Sequence, residues 1–252
     1  MRSQLLLEYD GTLFAGWARQ EGARTVQESV ERALAVVLRV AAVRLTVAGR
    51  TDAGVHAWGQ VASYSGPPVA VRSLNALLPS DVAVLSCSEA APGFDARRDA
   101  TSRAYCYRVL TRRARSALEP GRALWWPHRM DALALEACAA ALVGTHDFTA
   151  FTPSETEHVR FSRDVFAAYW CRDACDPDVL SFWIEADAFM RHMNRVLVGT
   201  MLQVAGGRRS LESFVSLLGG RPRSEAGPTA RPHGLALVGV GYGGERVLKN
   251  SH

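Results

Sequence analysis

The predicted order of strands and helices constrains the fold of this chain most, because the same order occurs twice. In the N-terminal part, alternating apolar and polar side chains predict strands, and an apolar period of about 3.6 residues predicts helices. The first helix is predicted to begin at Thr25, which with Glu28 three residues later forms a capping-box pattern. The predicted strands are 4–9, 43–48, 60–65 and 82–88, and the predicted helices are 25–38 and about 72–78. The order is therefore β-α-β-β-α-β.

The second half of the chain is predicted to repeat this order. Its predicted elements are a strand at 101–111, a helix from Asp131 to Gly144, strands at about 164–172 and 180–188, helices at about 190–205 and 211–218, and a strand at about 235–242. Two similar halves explain such a repeat most economically. We therefore predict the α+β class, with two ferredoxin-like (split β-α-β) halves whose antiparallel sheets form a central cleft. The N-terminal domain is expected at 1–100, the C-terminal domain at 101–245, and a flexible tail at 246–252.

Composition excludes several kinds of site. Lys249 is the only lysine among the 252 residues, which nearly excludes Schiff-base chemistry and a phosphate loop that uses a lysine. The five cysteines contain no C-x-x-C pair, so thiols in a reducing compartment are expected rather than a disulfide or zinc framework. The N-terminal residues lack the pattern of a signal peptide, and no window approaches a membrane span. These observations predict a cytoplasmic protein.

Asp52 is the best candidate for a reactive side chain when only the residues are considered. It lies between Gly49 and Gly54, two residues after Arg50, and follows the predicted strand 43–48. Glycine permits backbone turns that other residues resist, and loops on rigid scaffolds often carry catalytic groups. The alternative is a surface turn with an incidental aspartate, and the motif alone does not decide between the two.

Arg191 occupies a comparable junction of strand and helix in the second half of the chain. It lies in the run Phe189-Met190-Arg191-His192-Met193, at the predicted start of a helix. Clefts between domains are favoured sites, and across such a cleft Arg191 would face Asp52. The alternative, a cation at a helix end with a local partner, is equally consistent with the sequence.

The segment 97–129 has a large local excess of positive charge. It contains nine arginines and only two acidic residues, Asp99 and Glu119, although the net charge of the whole chain is only +4. Such an excess is typical of a surface that binds a polyanion, and the planar guanidinium suits phosphate. A solvated face without a partner is the alternative, and nucleic acid binding is the favoured interpretation.

Several segments together resemble the tRNA pseudouridine synthase A family, in the right order and over most of residues 3–243. The run Gly49-Arg50-Thr51-Asp52-Ala53-Gly54-Val55-His56-Ala57 is similar to the family's signature. The other matching segments are Leu7-Glu8-Tyr9-Asp10-Gly11 with Gly16-Trp17, Thr25-Val26-Gln27-Glu28, Asn75-Ala76-Leu77-Leu78-Pro79, Phe94-Asp95-Ala96-Arg97, Arg103-Ala104-Tyr105-Cys106-Tyr107, Gly144-Thr145-His146-Asp147-Phe148-Thr149-Ala150-Phe151 and Phe189-Met190-Arg191-His192-Met193.

The resemblance implies an isomerase that converts uridine to pseudouridine in the anticodon stem-loop of tRNA, at the expected tRNA positions 38, 39 and 40. It implies no metal and no organic cofactor, and a homodimer that grips each tRNA across both subunits. Asp52 would be the catalytic group, either as a nucleophile at the sugar or as a base. The residues that would bind the substrate are Arg50, Tyr105, Arg191 and Leu235, and those that would contact RNA phosphates are Arg97, Arg98, Arg103, Arg112 and Arg113.

Three alternatives to this function follow from the same residues. The first is a hydrolytic N-glycosidase in which Asp52 is paired with another acid such as Asp10. The second is an RNA-binding module or chaperone that uses the basic surface without catalysis. The third is a pseudouridine synthase that acts on a different RNA. Tyr105 is assigned only through the resemblance, since Tyr107 fits the pattern of the strand equally well.

Overall fold

The structure is a computed structural model that describes residues 1–117, 119–156 and 159–248. These residues form two compact units. The first unit contains Met1–Arg103 and Ala236–Val247, and the second contains Ala104–Leu235 together with Leu248. The last strand of the chain thus belongs to the first unit. Of the predicted tail at 246–252, residues 249–252 lie outside the described residues.

Ten strands and five α-helices are found in the described parts of the chain. In chain order they are β1 (Arg2–Tyr9), α1 (Val26–Leu38), β2 (Thr46–Val47), β3 (His56–Ser65), α2 (Val71–Asn75), β4 (Val82–Glu89), β5 (Ala100–Leu110), β6 (Leu124–Trp125), α3 (Ala132–Leu142), β7 (Gly144–Asp147), β8 (Ser162–Arg172), β9 (Val179–Ala186), α4 (Met193–Ala205), α5 (Leu211–Ser216) and β10 (Leu235–Tyr242).

The first unit is built around β1, which pairs antiparallel with β3 on one side and β4 on the other. β2 pairs antiparallel with β3, and β10 pairs with β3 in parallel through Ala236 and Leu237. α1 buries Val26, Val30 and Leu34 completely, as its apolar period predicts. The predicted order β-α-β-β-α-β is confirmed for residues 2–89.

Two details of the first unit differ from the predictions. The strand predicted at 43–48 is limited to Thr46–Val47, with one further bond from the Ala48 amide to the Val61 carbonyl at 2.9 Å. It begins late because the Leu45 amide donates to the Glu31 carboxylate at 2.9 Å instead. The predicted side-chain cap at Thr25 is absent among the described residues, although the helix begins where expected. The first amides of α1 donate instead to the carbonyls of Gly16 and Trp17, at 3.3 and 3.1 Å. Backbone carbonyls therefore replace the predicted cap.

The second unit contains a sheet in which the strands follow the order β5-β9-β8-β7. The pairs β7–β8 and β8–β9 are antiparallel. Its core contains several phenylalanines that are completely buried, which are Phe148, Phe151, Phe182 and Phe214. α4 begins at Met193 rather than at the predicted residue 190, because His192 has the left-handed conformation, with φ +62°.

The protein therefore has mixed helices and strands with mostly antiparallel pairing, which is consistent with the predicted α+β class. The ferredoxin-like identity of the halves, the cleft and the domain division at residue 100 stay predictions. None of the helices in the described ranges could span a lipid bilayer.

Candidate active site

Asp52 lies on a tight turn between β2 and β3 in the first unit. The Val55 amide closes this turn by donating to the Asp52 carbonyl at 3.1 Å. Gly54 occupies the third position with φ +76°, the left-handed conformation that a type II turn requires there. The side chain of Asp52 is partly exposed, whereas Thr51 and Val55 on either side are buried. The turn therefore presents a carboxylate from a backbone that is anchored on both sides.

A second segment of the first unit, the Gly11–Trp17 turn, fixes the path of the Asp52 turn. The Trp17 amide donates to the Thr51 carbonyl at 3.0 Å, and the Gly54 amide donates to the Phe14 carbonyl at 3.3 Å. These two bonds hold the backbone immediately before and after the reactive carboxylate. The Gly11–Trp17 turn thus sets where that carboxylate can lie.

Two glycines permit the close approach of the two turns. A Cβ added to Gly11 would overlap the Val55 carbonyl and would lie 2.5 Å from its carbon. A Cβ added to Gly16 would lie 2.9 Å from the Thr51 carbonyl oxygen, and Gly16 has φ +104°. The Gly11 amide also donates to Nδ1 of His56, at 3.0 Å. Both glycines are visible in the sequence, but the sequence pattern does not indicate that they hold the Asp52 turn.

A buried hydrogen-bond network lies beneath the Asp52 turn and is called here the Tyr9–Thr51–Gln60 network. The Tyr9 and Thr51 hydroxyls are 2.8 Å apart. The Gln60 side-chain amide donates to the Tyr9 oxygen at 3.3 Å and to the Gly49 carbonyl at 2.7 Å. Burial raises the pKa of the Tyr9 phenol to about 12, and its hydrogen bonds to Thr51 and Gln60 oppose that shift. Tyr9 therefore stays protonated throughout the physiological range.

Arg103 holds the strand that leads into the Asp52 turn. Its Nε and Nη2 donate to the Ala48 carbonyl at 3.2 and 3.0 Å. Its guanidinium also donates to the carbonyls of Ala100 and Arg97, at 3.0 and 2.8 Å. The planar guanidinium of Arg103 thus donates to three backbone carbonyls. The predicted contact of Arg103 with RNA phosphates stays a prediction.

The second unit carries the two tyrosines that the sequence alone did not distinguish. The Tyr107 hydroxyl donates to the Arg231 carbonyl at 2.7 Å, and burial raises its pKa. A Cβ on Gly234 would lie 2.8 Å from the Tyr107 ring, so this ring is tightly enclosed. The Tyr105 ring meets the ring of Phe189 edge-on, with 5.0 Å between centroids. Tyr107 is therefore part of the core, and Tyr105 packs beside the segment that leads to Arg191.

Arg191 lies on the turn before α4, and its side chain is exposed. The neighbouring Met190 and Met193 are buried, so the backbone on both sides of Arg191 is anchored. His192 adopts φ +62°, a conformation that costs a non-glycine residue about 1–3 kcal/mol and is common at functional sites. Leu235 is buried in the same unit. Asp52 lies in the first unit and Arg191 in the second, and their pairing stays a prediction.

The remaining predicted arginines differ in how strongly they are held. The Arg98 guanidinium donates to Asp99 at 3.0 Å, and Arg112 donates to the Ala114 carbonyl at 3.1 Å. The side chains of the others are exposed, and within their own units they have no hydrogen-bond or ion-pair partner among the described residues; they are Arg50, Arg97 and Arg113. Exposed and unpaired guanidinium groups are available for an anionic ligand.

Metal ligands are not grouped in the described ranges, where no set of three His, Cys, Asp or Glu side chains could hold an ion. Asp10, the predicted partner of Asp52 in a glycosidase, is engaged locally instead. Its carboxylate accepts from the Thr12 amide at 3.0 Å and from the Thr12 hydroxyl at 2.6 Å, and lies 3.2 Å from His56. Asp10 thus caps the Gly11–Trp17 turn.

The chain is similar over nearly its full length to proteins of one family. A family model described as tRNA pseudouridine synthase matches residues 138–243. The tRNA pseudouridine synthase A of Chromobacterium violaceum is 43% identical over 254 residues, which cover 98% of this chain and 95% of that protein. The protein of the same name in Frankia casuarinae is 44% identical and covers 96% of this chain and 89% of its own length. The tRNA pseudouridine synthase A of Myxococcus xanthus is 40% identical, and the match covers 96% of this chain and 92% of that protein. The chain therefore belongs to the tRNA pseudouridine synthase A family.

Proposed function

We propose that this protein isomerises uridine to pseudouridine in the anticodon stem-loop of tRNA, with Asp52 as the catalytic group. The observation that carries the proposal is the Asp52 turn, which presents a carboxylate from a backbone anchored on both sides. Membership of the family supports the reaction and the class of substrate. The target uridines are proposed to be those at tRNA positions 38, 39 and 40.

The isomerisation breaks the bond between N1 of uracil and C1′ of ribose, and forms a new bond between C5 and C1′. In the product N1 carries a proton and C5 has lost one. A carboxylate supports this change either by attacking C1′ covalently or by taking a proton from the sugar. Asp52 is proposed to act in one of these two ways. Both require an ionised carboxylate held at a fixed position against the ribose.

The side chains that bind the target base are proposed to come from the second unit. A base inside a stem must leave its stack, and flipped bases are commonly held by stacking and by hydrogen bonds to their edges. Tyr105 supplies an aromatic ring and a phenol that would take part in the proton transfer at C5, and Leu235 supplies an apolar contact. Arg191 would keep Asp52 ionised and oriented, and Arg50 would face the RNA.

The RNA backbone is proposed to be held by exposed arginines in a cytoplasmic homodimer. Contacts between guanidinium groups and phosphates give affinity that falls steeply with salt and does not depend on sequence. Arg97 and Arg113 are suited to this role because their side chains have no partner among the described residues of their own units. A monomeric mass in solution at working concentrations would contradict the dimer.

The experiment that tests the reaction uses tRNA transcripts tritiated at C5 of uridine. Tritium release mapped to the anticodon stem-loop is the expected result, because formation of the new bond expels the hydrogen at C5. Asp52→Ala is expected to abolish release and to retain tRNA binding. Glu89→Gln, which removes an exposed carboxylate of the same unit, is the matched control and should behave as wild type.

Other outcomes of this experiment distinguish the alternatives. Free uracil in place of an isomer of unchanged mass would indicate an N-glycosidase. Binding without release from any tRNA, by a folded protein, would indicate an RNA-binding module. Release from a different RNA, or from another part of tRNA, would overturn the proposed substrate site while retaining the reaction.

A further inference from the structure

We propose that the Tyr9–Thr51–Gln60 network positions the Asp52 carboxylate, and that Tyr9 is a positioning residue for the isomerisation. This inference rests on the proposed function, because it assumes that Asp52 is the catalytic group. Tyr9 lies on β1, Gln60 lies on β3, and Thr51 directly precedes Asp52 in the chain. The network therefore connects the central strands of the first unit to the turn that carries the carboxylate.

The network is buried and its side chains have defined partners. Gln60 is completely buried, and its side-chain oxygen accepts from the Val61 amide at 3.2 Å. This bond orients the Gln60 NH₂ group toward the Gly49 carbonyl and the Tyr9 oxygen. Thr51 is only 7% exposed, so its hydroxyl has little access to water and depends on Tyr9. A buried hydrogen-bond network of this kind holds its side chains in one arrangement.

Three hydrogen bonds constrain the backbone on the N-terminal side of Asp52. Gln60 holds the carbonyl of Gly49, and Tyr9 holds the side chain of Thr51. The Trp17 amide holds the Thr51 carbonyl from the Gly11–Trp17 turn. If the Tyr9 hydroxyl is removed, Thr51 loses its side-chain anchor and keeps only its backbone bond. The backbone before the carboxylate is then less tightly held, and a displacement of about 1 Å can cost a reaction about a hundredfold in rate.

The test is Tyr9→Phe, which keeps the ring and removes only the hydroxyl. We expect kcat for tritium release to fall by about 10- to 100-fold while KM for tRNA stays within about twofold, since Tyr9 acts on the turn and not on RNA. Thr51→Val should produce a similar fall in kcat, and Thr51→Ser, which keeps a hydroxyl, should stay near wild type. The double variant Tyr9→Phe/Thr51→Val should be no slower than the slower single variant, because both changes remove the same bond.

Tyr64→Phe is the matched control for loss of a buried tyrosine hydroxyl. Tyr64 lies in β3 of the same unit, is completely buried, and donates to the Pro67 carbonyl at 2.7 Å. Its removal should lower the melting temperature without changing kcat. If kcat falls in Tyr64→Phe as much as in Tyr9→Phe, the effect is a loss of stability and the positioning role is overturned. Normal kcat in Tyr9→Phe, or additive effects in the double variant, would also overturn it.

Asp52→Asn, measured in the same series, separates this inference from the proposed function. An inactive Asp52→Asn protein with a fully active Tyr9→Phe protein overturns only the positioning role. An active Asp52→Asn protein overturns the catalytic role of Asp52 itself. Where Tyr9→Phe fails to fold, the comparison of Thr51→Val with Thr51→Ser decides, because equal kcat in these two variants would overturn the inference.

Discussion

Substitution of Gly11 by alanine is expected to damage both folding and catalysis. A Cβ at this position would lie 2.5 Å from the Val55 carbonyl carbon and would overlap the carbonyl oxygen. Ordinary van der Waals contact begins at 3.4 Å, and the obstructing atoms belong to backbone that cannot rotate away. The Val55 carbonyl must therefore move by about 1 Å, together with the turn that the Val55 amide closes.

The magnitude of both effects follows from this displacement. Insertion of a methyl group into a packed site of this kind costs about 3 kcal/mol, which lowers the melting temperature of a protein of this size by about 6–12 °C. Because the Val55 amide closes the turn on the Asp52 carbonyl, the carboxylate moves with it. A shift of about 1 Å at a reacting group lowers kcat about a hundredfold.

The assay combines thermal unfolding with tritium release from C5-labelled tRNA, measured well below the melting temperature of the variant. Gly219→Ala is the control, since a Cβ there meets its nearest atom at 3.5 Å in ordinary contact. A normal melting temperature for Gly11→Ala would refute the close approach of the two turns. A lowered melting temperature with normal kcat would show instead that the Gly11–Trp17 turn does not set the position of Asp52.

The other predictions concern arginine, tyrosine and thiol groups. Arg103→Met should lower the free energy of unfolding by about 3 kcal/mol in urea titrations, because three carbonyls lose a charged donor, whereas Arg98→Met should stay near wild type. Tyr107→Phe should cost about 1–2 kcal/mol with unchanged kcat, since its hydroxyl serves only the core. Burial raises the pKa of the Cys106 thiol to about 12 and that of Tyr9 to about 12. As the pH rises, the unfolded chain loses these protons before the folded protein does. Between the ordinary pKa values and pH 12, the free energy of unfolding should therefore fall by up to about 1.4 kcal/mol per pH unit for each group. Equal free energies of unfolding at pH 8 and pH 11 would contradict this prediction.

Local patterns predicted most elements of the fold. The helix at Val26–Leu38 begins and ends where its apolar period indicates, because that period directly reports which face is buried. The strand predicted at 43–48 is shorter, because the Leu45 amide binds the side chain of Glu31, fourteen residues earlier in the chain. The alternation of apolar and polar residues does not reveal a side chain that competes for a backbone hydrogen bond in this way. α4 also begins later than predicted, because His192 adopts a conformation that residue type alone does not predict.

The residue types alone restrict the chemistry that is possible at the site. A carboxylate near Gly54, and a chain without lysine before Lys249, restrict both the conformation of the turn and the reactions available to it. The groups that hold that carboxylate become visible in the folded chain, and they are the Gly11–Trp17 turn, the Tyr9–Thr51–Gln60 network and the guanidinium of Arg103. A residue type defines how many hydrogen bonds a group can make, whereas burial and proximity in space select its partners.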